Sequence, residues 1–541
     1  MTVATNAGNA TEFDYIVVGG GTAGCVVANR LSANPQNRVL LLEAGGDDTD
    51  RWLHIPIGYA RVFGKPEFNW IYQVQPEPQL NNRAGPFYQG KVIGGSSAVN
   101  GMIYLRGQRE DFEHWVRLGC SGWDYDTVLK CYLRSEDQRS RAAGPYHAVG
   151  GPLAVSDPAE PHRVVDAFID AAEQAGIPRN PDFNGERQEG AGYYQTMTRN
   201  GRRRSAAMAY IRPVQQRANL TVKTGARVER VLFAGKDADG VSVILGGERL
   251  TMKARREVVL SGGAFASPLL LQASGVGPGA LLQAQGVTVV HDAPDVGQNL
   301  QNHFNPWISY RCKQPVTFND QMATRWGRVQ LVLQYALRRR GFMALGPVYG
   351  GALCRTDLSP GRPDVHIHFF LFGTERVKPA LLPFSAVMAT VCQLRPESRG
   401  SVEIGGPDLV KDAKIRFNFM STELDRKTVS AGMAKVRDLM HRPALQSYIG
   451  DELDAYPDVS TDEELKTYTG EVRGTAHHIA GTCRMGVDER AVLDPALRVR
   501  GVGKLRVVDN SIMPTLLSAD TAAPAIMIGE RASDFILADA R

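Results

Sequence analysis

The chain has 541 residues, 62 Lys and Arg against 57 Asp and Glu, a formal charge of +5, and 43% hydrophobic and 22% charged residues. That length exceeds one ordinary domain, and the composition is that of a globular protein. So mild a charge, without a basic stripe interleaved with aromatics, argues against a nucleic-acid partner, and the run Arg202, Arg203, Arg204 reads as a solvated loop or a phosphate-side contact. Seven scattered cysteines (Cys25, Cys120, Cys131, Cys312, Cys354, Cys392, Cys483) form no C-x-x-C pair. They suggest neither a zinc site nor a disulfide framework and suit a reducing compartment. The opening MTVATNAGNATE has no basic region followed by an apolar run, and no apolar run elsewhere reaches bilayer length. The expectation is a cytoplasmic protein, with peripheral contact to a membrane left open.

In chain order, residues 13–18 are a short apolar, β-branched strand that runs directly into GGGTAG at 19–24, after which Val26, Val27, Ala28 and Leu31 continue as a helix. Strand, glycine turn and helix in this order form a dinucleotide fingerprint. The backbone must turn sharply and approach a pyrophosphate closely, and the helix N-terminus then offers unpaired N–H groups to the phosphates. Residues 39–42 (VLLL) make a second buried strand, and Glu43 at its end is placed to accept ribose hydroxyls. The fingerprint alone does not separate NAD from FAD.

Residues 90–107 (GKVIGGSSAVNGMIYLRG) are a glycine-rich turn, generic in isolation. Amphipathic helices are expected over 161–175, ahead of Gly176, and over 421–441. The stretch 258–264 (VVLSGGA) reads as a strand returning to the first sheet, which makes the nucleotide domain discontinuous. Residues 364–372 (DVHIHFFLF) alternate as a strand does, placing His366 and His368 on one face. A metal there needs a third ligand, none is apparent, and no metal is expected.

Three ordered stretches carry a family resemblance: 90–107; GAFASPLLLQASGVG at 263–277; and the tail HIAGTCRMG at 478–486 with LRVVDNSIMP at 505–514. With them the chain resembles the glucose–methanol–choline (GMC) flavin oxidoreductases from about residue 13 to 538, nearest the choline-dehydrogenase-like and bacterial alcohol-dehydrogenase branch. The resemblance implies an α/β fold of two domains. A Rossmann-like FAD-binding domain would comprise 1–155, 215–310 and 455–541, and a substrate domain with an antiparallel sheet flanked by helices 156–214 and 311–454. FAD would be held by Gly19, Gly21, Thr22, Ala23, Gly24, Glu43, Ala44, Val92, Gly95, Asn100, Gly101, Met102, Ile103, the backbone of Val228, Asp509 and Thr521. Some members attach FAD through a His just before the Asn; Val99 stands there, so non-covalent FAD is expected.

Alcohol oxidation removes the hydroxyl proton while hydride leaves the carbon for the flavin, and an imidazole suits the proton step. The His-x-x-Gly-Thr spacing assigns the family's catalytic His to His478, leaving its neighbour His477 a packing or supporting role. At the partner position, where the family carries Asn or His, stands Asp520. Ionised, it favours an imidazolium and weakens His478 as a base. Protonated, it donates to the substrate oxygen. It also suits a cationic or polyhydroxy substrate, or it caps the helix that begins near Pro524 and points away. The family places the N-terminus of that helix, 524–537, against the flavin, where its N–H groups stabilise negative charge. The position matching the choline-binding Glu of choline-specific relatives is Tyr349, which argues for a neutral primary or aromatic alcohol. The expected activity is FAD-dependent oxidation of a primary alcohol with a quinone, dye or oxygen as acceptor; the alternative is a hydroxynitrile-lyase-like enzyme with structural FAD. Oligomeric state is left open.

Overall fold

The computed structural model describes residues 11–375, 380–453, 462–471 and 474–540. The opening decapeptide, where no leader is expected, and the expected domain boundary at 454–455 lie outside the described residues.

Strand Glu12–Val18 lies inside a seven-stranded sheet, paired along both edges, with every residue after Glu12 buried. It pairs in parallel with Val39–Leu42 (Ile16 beside Leu40) and with residues 253–260 of the long strand Glu248–Leu260 (Ile16 beside Val258). Leu220–Lys223 extends the parallel ladder beyond Val39–Leu42, and Leu505–Val507 pairs in parallel with residues 258–260. The N-terminal end of Glu248–Leu260 folds back into a meander with Asp237–Leu245 and Ala226–Ala234. The α/β class follows directly, and the sheet is assembled from segments that begin at 12, 220 and 505. Helix Ala522–Asp539 packs on helix Thr22–Leu31 so closely that a Cβ at Gly529 would lie 2.8 Å from Cβ of Val26. The two ends of the chain are further tied through Glu530, which is fully buried. It receives Arg30 at 2.7 Å, Arg134 at 2.7 Å and the Tyr210 hydroxyl at 2.9 Å.

A second, six-stranded antiparallel sheet runs in the order Ile449–Leu453, Trp307–Cys312, Ala386–Gln393, Val365–Phe370, Gly350–Cys354 and Gly190–Tyr193. The two amphipathic patterns form helices Arg163–Gln174 and Glu423–Met440, the latter capped by the Thr422 side chain. Both pack on the same sheet face: Phe168 stacks on Phe369 with centroids 4.6 Å apart, and a Cβ at Gly432 would lie 2.4 Å from Val391. Because strand residues alternate, Val365, Ile367 and Phe369 turn to the helices, and His366, His368 and Phe370 turn to the opposite face. A four-stranded sheet that sequence patterning did not reveal, Ser401–Glu403, Lys414–Arg416, Asn69–Glu77 and Arg83–Gly90, supplies a further wall. No helix among the described residues is long and apolar enough to cross a bilayer.

Candidate active site

The carboxyl end of the parallel sheet and the free face of the antiparallel sheet border a cavity of about 670 Å³. Of the residues expected to hold FAD, Gly19, Gly21, Thr22, Ala23, Glu43, Ala44, Gly95, Asn100, Gly101, Met102, Ile103, Val228, Asp509 and Thr521 line it, as do His478 and Asp520. Gly24 and Val92 do not. A Cβ at Gly24 would stand 2.0 Å from the Gly19 carbonyl, so this glycine serves the close approach of helix and strand. Val92 belongs to an apolar cluster with Leu53, Val62 and Phe68.

At Gly19 the backbone has φ +103°, and a Cβ would meet the Ser261 carbonyl at 2.4 Å, so this position excludes a side chain twice over. Glu43 accepts from the N–H groups of Gly20 (2.8 Å) and Gly45 (2.7 Å), yet burial still pushes its carboxyl up to about 7. Burial also raises Asp509, against bonds from Ser267 Oγ at 2.6 Å and from the N–H groups of Gly263 and Ser511 at 2.8 Å. Ser261 Oγ and Asn510 Oδ1 are buried without a partner in residues that line the cavity. Together with the glycine cradle they fit a large ligand with hydroxyl and phosphate oxygens, as FAD has.

The triple-arginine run divides. Arg202 is exposed, but Arg203 is 2% exposed and donates to the carbonyls of Ser97 (3.1 Å) and Asn100 (2.7 Å) and to Asn100 Oδ1 (2.7 Å). Burial lowers this guanidinium to about 9. It is therefore the clamp of the 97–100 turn, and the solvated-loop reading is corrected for it.

At the other end of the cavity five side chains from four distant segments converge. His478 Nε2 lies 2.9 Å from Asp520 Oδ1, and its Nδ1 lies 2.9 Å from Nδ1 of His303; its backbone N–H donates to Asn302 Oδ1 at 2.8 Å. Burial, and then the charge of His478, hold His303 down at about 3, so it is neutral. Its Nε2 sits 3.1 Å from the Leu394 carbonyl, which only accepts, so the single proton of His303 is on Nε2. Nδ1 of His303 is then an acceptor, and His478 must donate to it. Burial alone would raise Asp520, but the charges and bonds of His478 and His368 outweigh it and hold the carboxyl well below its ordinary value. A carboxylate also only accepts, so His478 carries protons on both nitrogens and forms an ion pair with Asp520. Asp520 Oδ2 is buried without a partner.

Asp520 therefore does not cap the following helix; Ala522–Asp539 starts after Thr521 with no side-chain cap. His368 approaches Asp520 from the antiparallel sheet at 3.8 Å, and His366 beside it meets the Tyr194 hydroxyl at 2.7 Å. The fold thus supplies the third group that sequence did not reveal beside these histidines: donor atoms of His366, His368 and Asp520 lie within 4.8 Å of one another. His477 packs its ring on Phe87 (4.5 Å) and Phe63 (5.5 Å), and burial lowers it to about 4. Tyr349 does not line the main cavity and meets Tyr193 edge-on at 5.4 Å, so it bears on no substrate head group there. Asn302, His303 and Tyr194 escaped the reading of the sequence. The one signal was the polar run QNLQNH at 298–303, unusual for a segment with so many buried residues.

A parallel nucleotide-type sheet and an antiparallel sheet, closing over one cavity with a glycine cradle at one end and an acid–base cluster at the other, define a flavoprotein oxidoreductase architecture. Family models described as GMC oxidoreductase match residues 13–305 and 396–529. The chain is 38% identical to an oxygen-dependent choline dehydrogenase of Proteus mirabilis, covering 97% of this chain and 95% of that one. It is 39% identical to the protein of that name from Pseudomonas putida, covering 97% and 94%. Among solved structures, pyridoxine 4-oxidase from "Mesorbium loti" superposes with a TM-score of 0.87 at 32% identity, covering 96% and 98%. Formate oxidase from Aspergillus oryzae superposes with 0.92 at 25% identity, covering 98% and 99%. The chain belongs to the GMC oxidoreductase family and is an FAD-dependent oxidoreductase.

Proposed function

We propose that this enzyme oxidises a neutral primary alcohol, aliphatic or aromatic, to the aldehyde, with His478 and Asp520 acting as one acid–base unit. The observation that carries the reading is the pairing of His478 with Asp520 at 2.9 Å, both in residues that line the cavity. FAD, bound without a covalent link beside Val99, supplies the acceptor for the hydride. Its proposed holders are the cavity-lining residues of the glycine cradle, Glu43, the 95–103 turn, Val228, Asp509 and Thr521. The substrate hydroxyl donates to the Asp520 carboxylate, and the proton moves onto it as the C–H bond breaks. His478 keeps both its protons, donating through Nε2 toward the reacting oxygens and through Nδ1 to His303. Neutral His303 orients its ring, and Asn302 holds its backbone N–H.

Beyond the nucleotide residues the wall is aromatic, with Phe63, Tyr88, Phe370 and Phe372, and Asp520 is the acid among them, already matched by His478. The aromatic faces suit an apolar group or a quaternary ammonium alike; it is the Asp520 carboxylate, already matched by His478, that supports a neutral alcohol over an amino alcohol such as the choline in the names of the relatives. Electrons then pass to a quinone, a dye or oxygen.

Anaerobic titration of the purified flavoprotein with primary aliphatic, aromatic and amino alcohols tests the reading. Bleaching of the oxidised flavin band by an aliphatic or aromatic alcohol is the expected result. Bleaching by choline alone overturns the substrate class. Failure of every alcohol, with the flavin reducible by dithionite, overturns the oxidation itself and favours a lyase with structural FAD. Admission of air to the reduced enzyme then tests oxygen as acceptor.

A further inference from the structure

Helix Arg325–Arg338, whose buried side packs with Met343 beside Trp52, Ile55 and Ile57, is apolar on two opposite sides. Gly327, Leu331 and Tyr335 recur every four residues and are buried. On the other side Trp326, Val329, Val332, Leu333 and Leu337 are exposed, Trp326 by 66% and Leu337 by 80%. At 3.6 residues per turn, Trp326, Val329, Leu333 and Leu337 fall within an arc of about 80°, roughly opposite Leu331. Five of the twelve large apolar side chains exposed among the described residues sit on this one helix. Scattered exposed apolar residues are ordinary in a folded protein, whereas a contiguous stripe marks an interaction surface.

Its charge is equally one-sided. Arg325, Arg328, Arg338, Arg339 and Arg340 are exposed, and no Asp or Glu occurs from 321 to 356. Among the described residues only Arg340 has a carboxylate nearby, Glu160 at 3.7 Å. The hairpin Thr198–Arg199 with Arg202–Arg203 leans on the same end of the helix, where Tyr335 donates to the Gly201 carbonyl at 3.0 Å. That contact adds the exposed Arg199 and Arg202 to the patch. Seven guanidinium groups thus surround an apolar stripe that carries a tryptophan.

We propose that this face docks the enzyme on an anionic phospholipid surface, the helix lying in the plane of the headgroups with Trp326, Leu333 and Leu337 inserted. An apolar stripe, a tryptophan and flanking arginines together are what an interfacial helix needs: burial of apolar area plus attraction to negative headgroups. Nucleic acid has no use for the apolar stripe. A second copy of the chain would bring two uncompensated arginine clusters together. Pro347 and Val348, nine and ten residues past the helix, line the cavity, so docking sets the substrate side of the enzyme beside the bilayer.

The test is co-flotation of the flavin-loaded enzyme with vesicles of phosphatidylcholine alone and of phosphatidylcholine with phosphatidylglycerol. The enzyme is expected to float with the anionic vesicles, to be released by salt and to ignore the neutral ones. Leu333→Glu with Leu337→Glu should lower the bound fraction at least about ten-fold, and each Arg→Gln at 338 and 339 roughly five-fold. Alcohol-driven flavin reduction in solution should stay unchanged in these variants. Quenching of wild-type tryptophan fluorescence by brominated lipid, lost in Trp326→Phe, locates the insertion even if the glutamate variant fails to fold. Absence of binding to anionic vesicles at low salt overturns the proposal, as does equal binding by a folded Leu333→Glu, Leu337→Glu variant. A dimer that this variant dissociates, without any vesicle binding, would instead assign the face to a second copy.

Discussion

The two ends of the cavity are built by different means. The nucleotide end is made of backbone: Gly19 and Gly95 leave room where side chains would collide, and a Cβ at Gly95 would stand 2.7 Å from Cα of Gly21. The chemical end is made of side chains delivered from residues 302–303, 366–368, 478 and 520, which touch one another only because two sheets close over them. A cradle of backbone tolerates almost no added atom but demands little of charge. A cluster of side chains tolerates conservative changes of shape but depends on where each proton resides. Mutations at the two ends should therefore fail in distinguishable ways, the first in flavin content and stability, the second in rate and pH dependence.

The largest effect is expected from His478→Ala, which leaves Asp520 without its counter-charge beside the reacting oxygen. The turnover number should fall by about 10²–10⁴-fold with flavin content unchanged, as read by stopped-flow reduction; a loss of flavin here would erase the distinction between the two ends. Gly19→Ala should do the reverse. It adds a Cβ 2.4 Å from the Ser261 carbonyl at φ +103°, so stability should drop by about 1–3 kcal/mol or more and most bound flavin should be lost, measured by thermal melting and by the flavin-to-protein absorbance ratio.

Asp520→Asn sharpens the proton assignment. In the wild type the carboxyl stays ionised well below its ordinary value, so kcat/KM should show no acid limb from it across the range near neutrality. In the variant the imidazole has lost its carboxylate and must itself be neutral to take a proton. An ascending limb absent from the wild type should then appear, together with a lower maximum. A flat profile in the variant would mean that Asp520 is not the proton acceptor.

Glu43 offers a test at the nucleotide end. Its folded-state value, about 7, is raised above the ordinary 4.5, so in that window the native state binds more protons than the unfolded one. Flavin-free protein should accordingly lose stability as pH rises from about 4.5 to 7, by up to about 3 kcal/mol. Glu43→Gln should remove that slope in melts taken at both ends of the window. The smallest effect is expected from Leu337→Glu on the outer helix. Its change in stability should stay within about 0.5 kcal/mol, because the side chain is 80% exposed, and kcat for a soluble alcohol should not change.

Much of this was legible in the chain. Strand, glycine turn, helix and Glu43 are local signals, since a sharp turn, a helix start and a strand end are each dictated within a few residues. Helices Arg163–Gln174 and Glu423–Met440 followed from their apolar period, and the two histidines of Val365–Phe370 from alternation. The less legible parts have a common cause. Gly24 and Val92 belong to the right motifs, but whether a motif residue faces a ligand or the neighbouring helix depends on packing. Tyr349 stands at the position matching a choline-binding Glu, yet it does not line the main cavity. The four-stranded sheet joins Asn69–Glu77 with Lys414–Arg416, a pairing more than 300 residues apart that no local pattern announces.

Sequence by itself determined the family, the cofactor class and the identity of His478 and Asp520 as candidates, because these rest on residue types at set spacings. Tertiary structure alone decided that Asp520 faces His478 rather than capping the next helix, that His303 stands behind the imidazole as a neutral acceptor, and that Arg203 is a buried clamp. Those are questions of proton and partner, and burial with exact neighbours settles them, since a carboxylate, an imidazole or a guanidinium takes its state from the dielectric and the charges within a few ångströms.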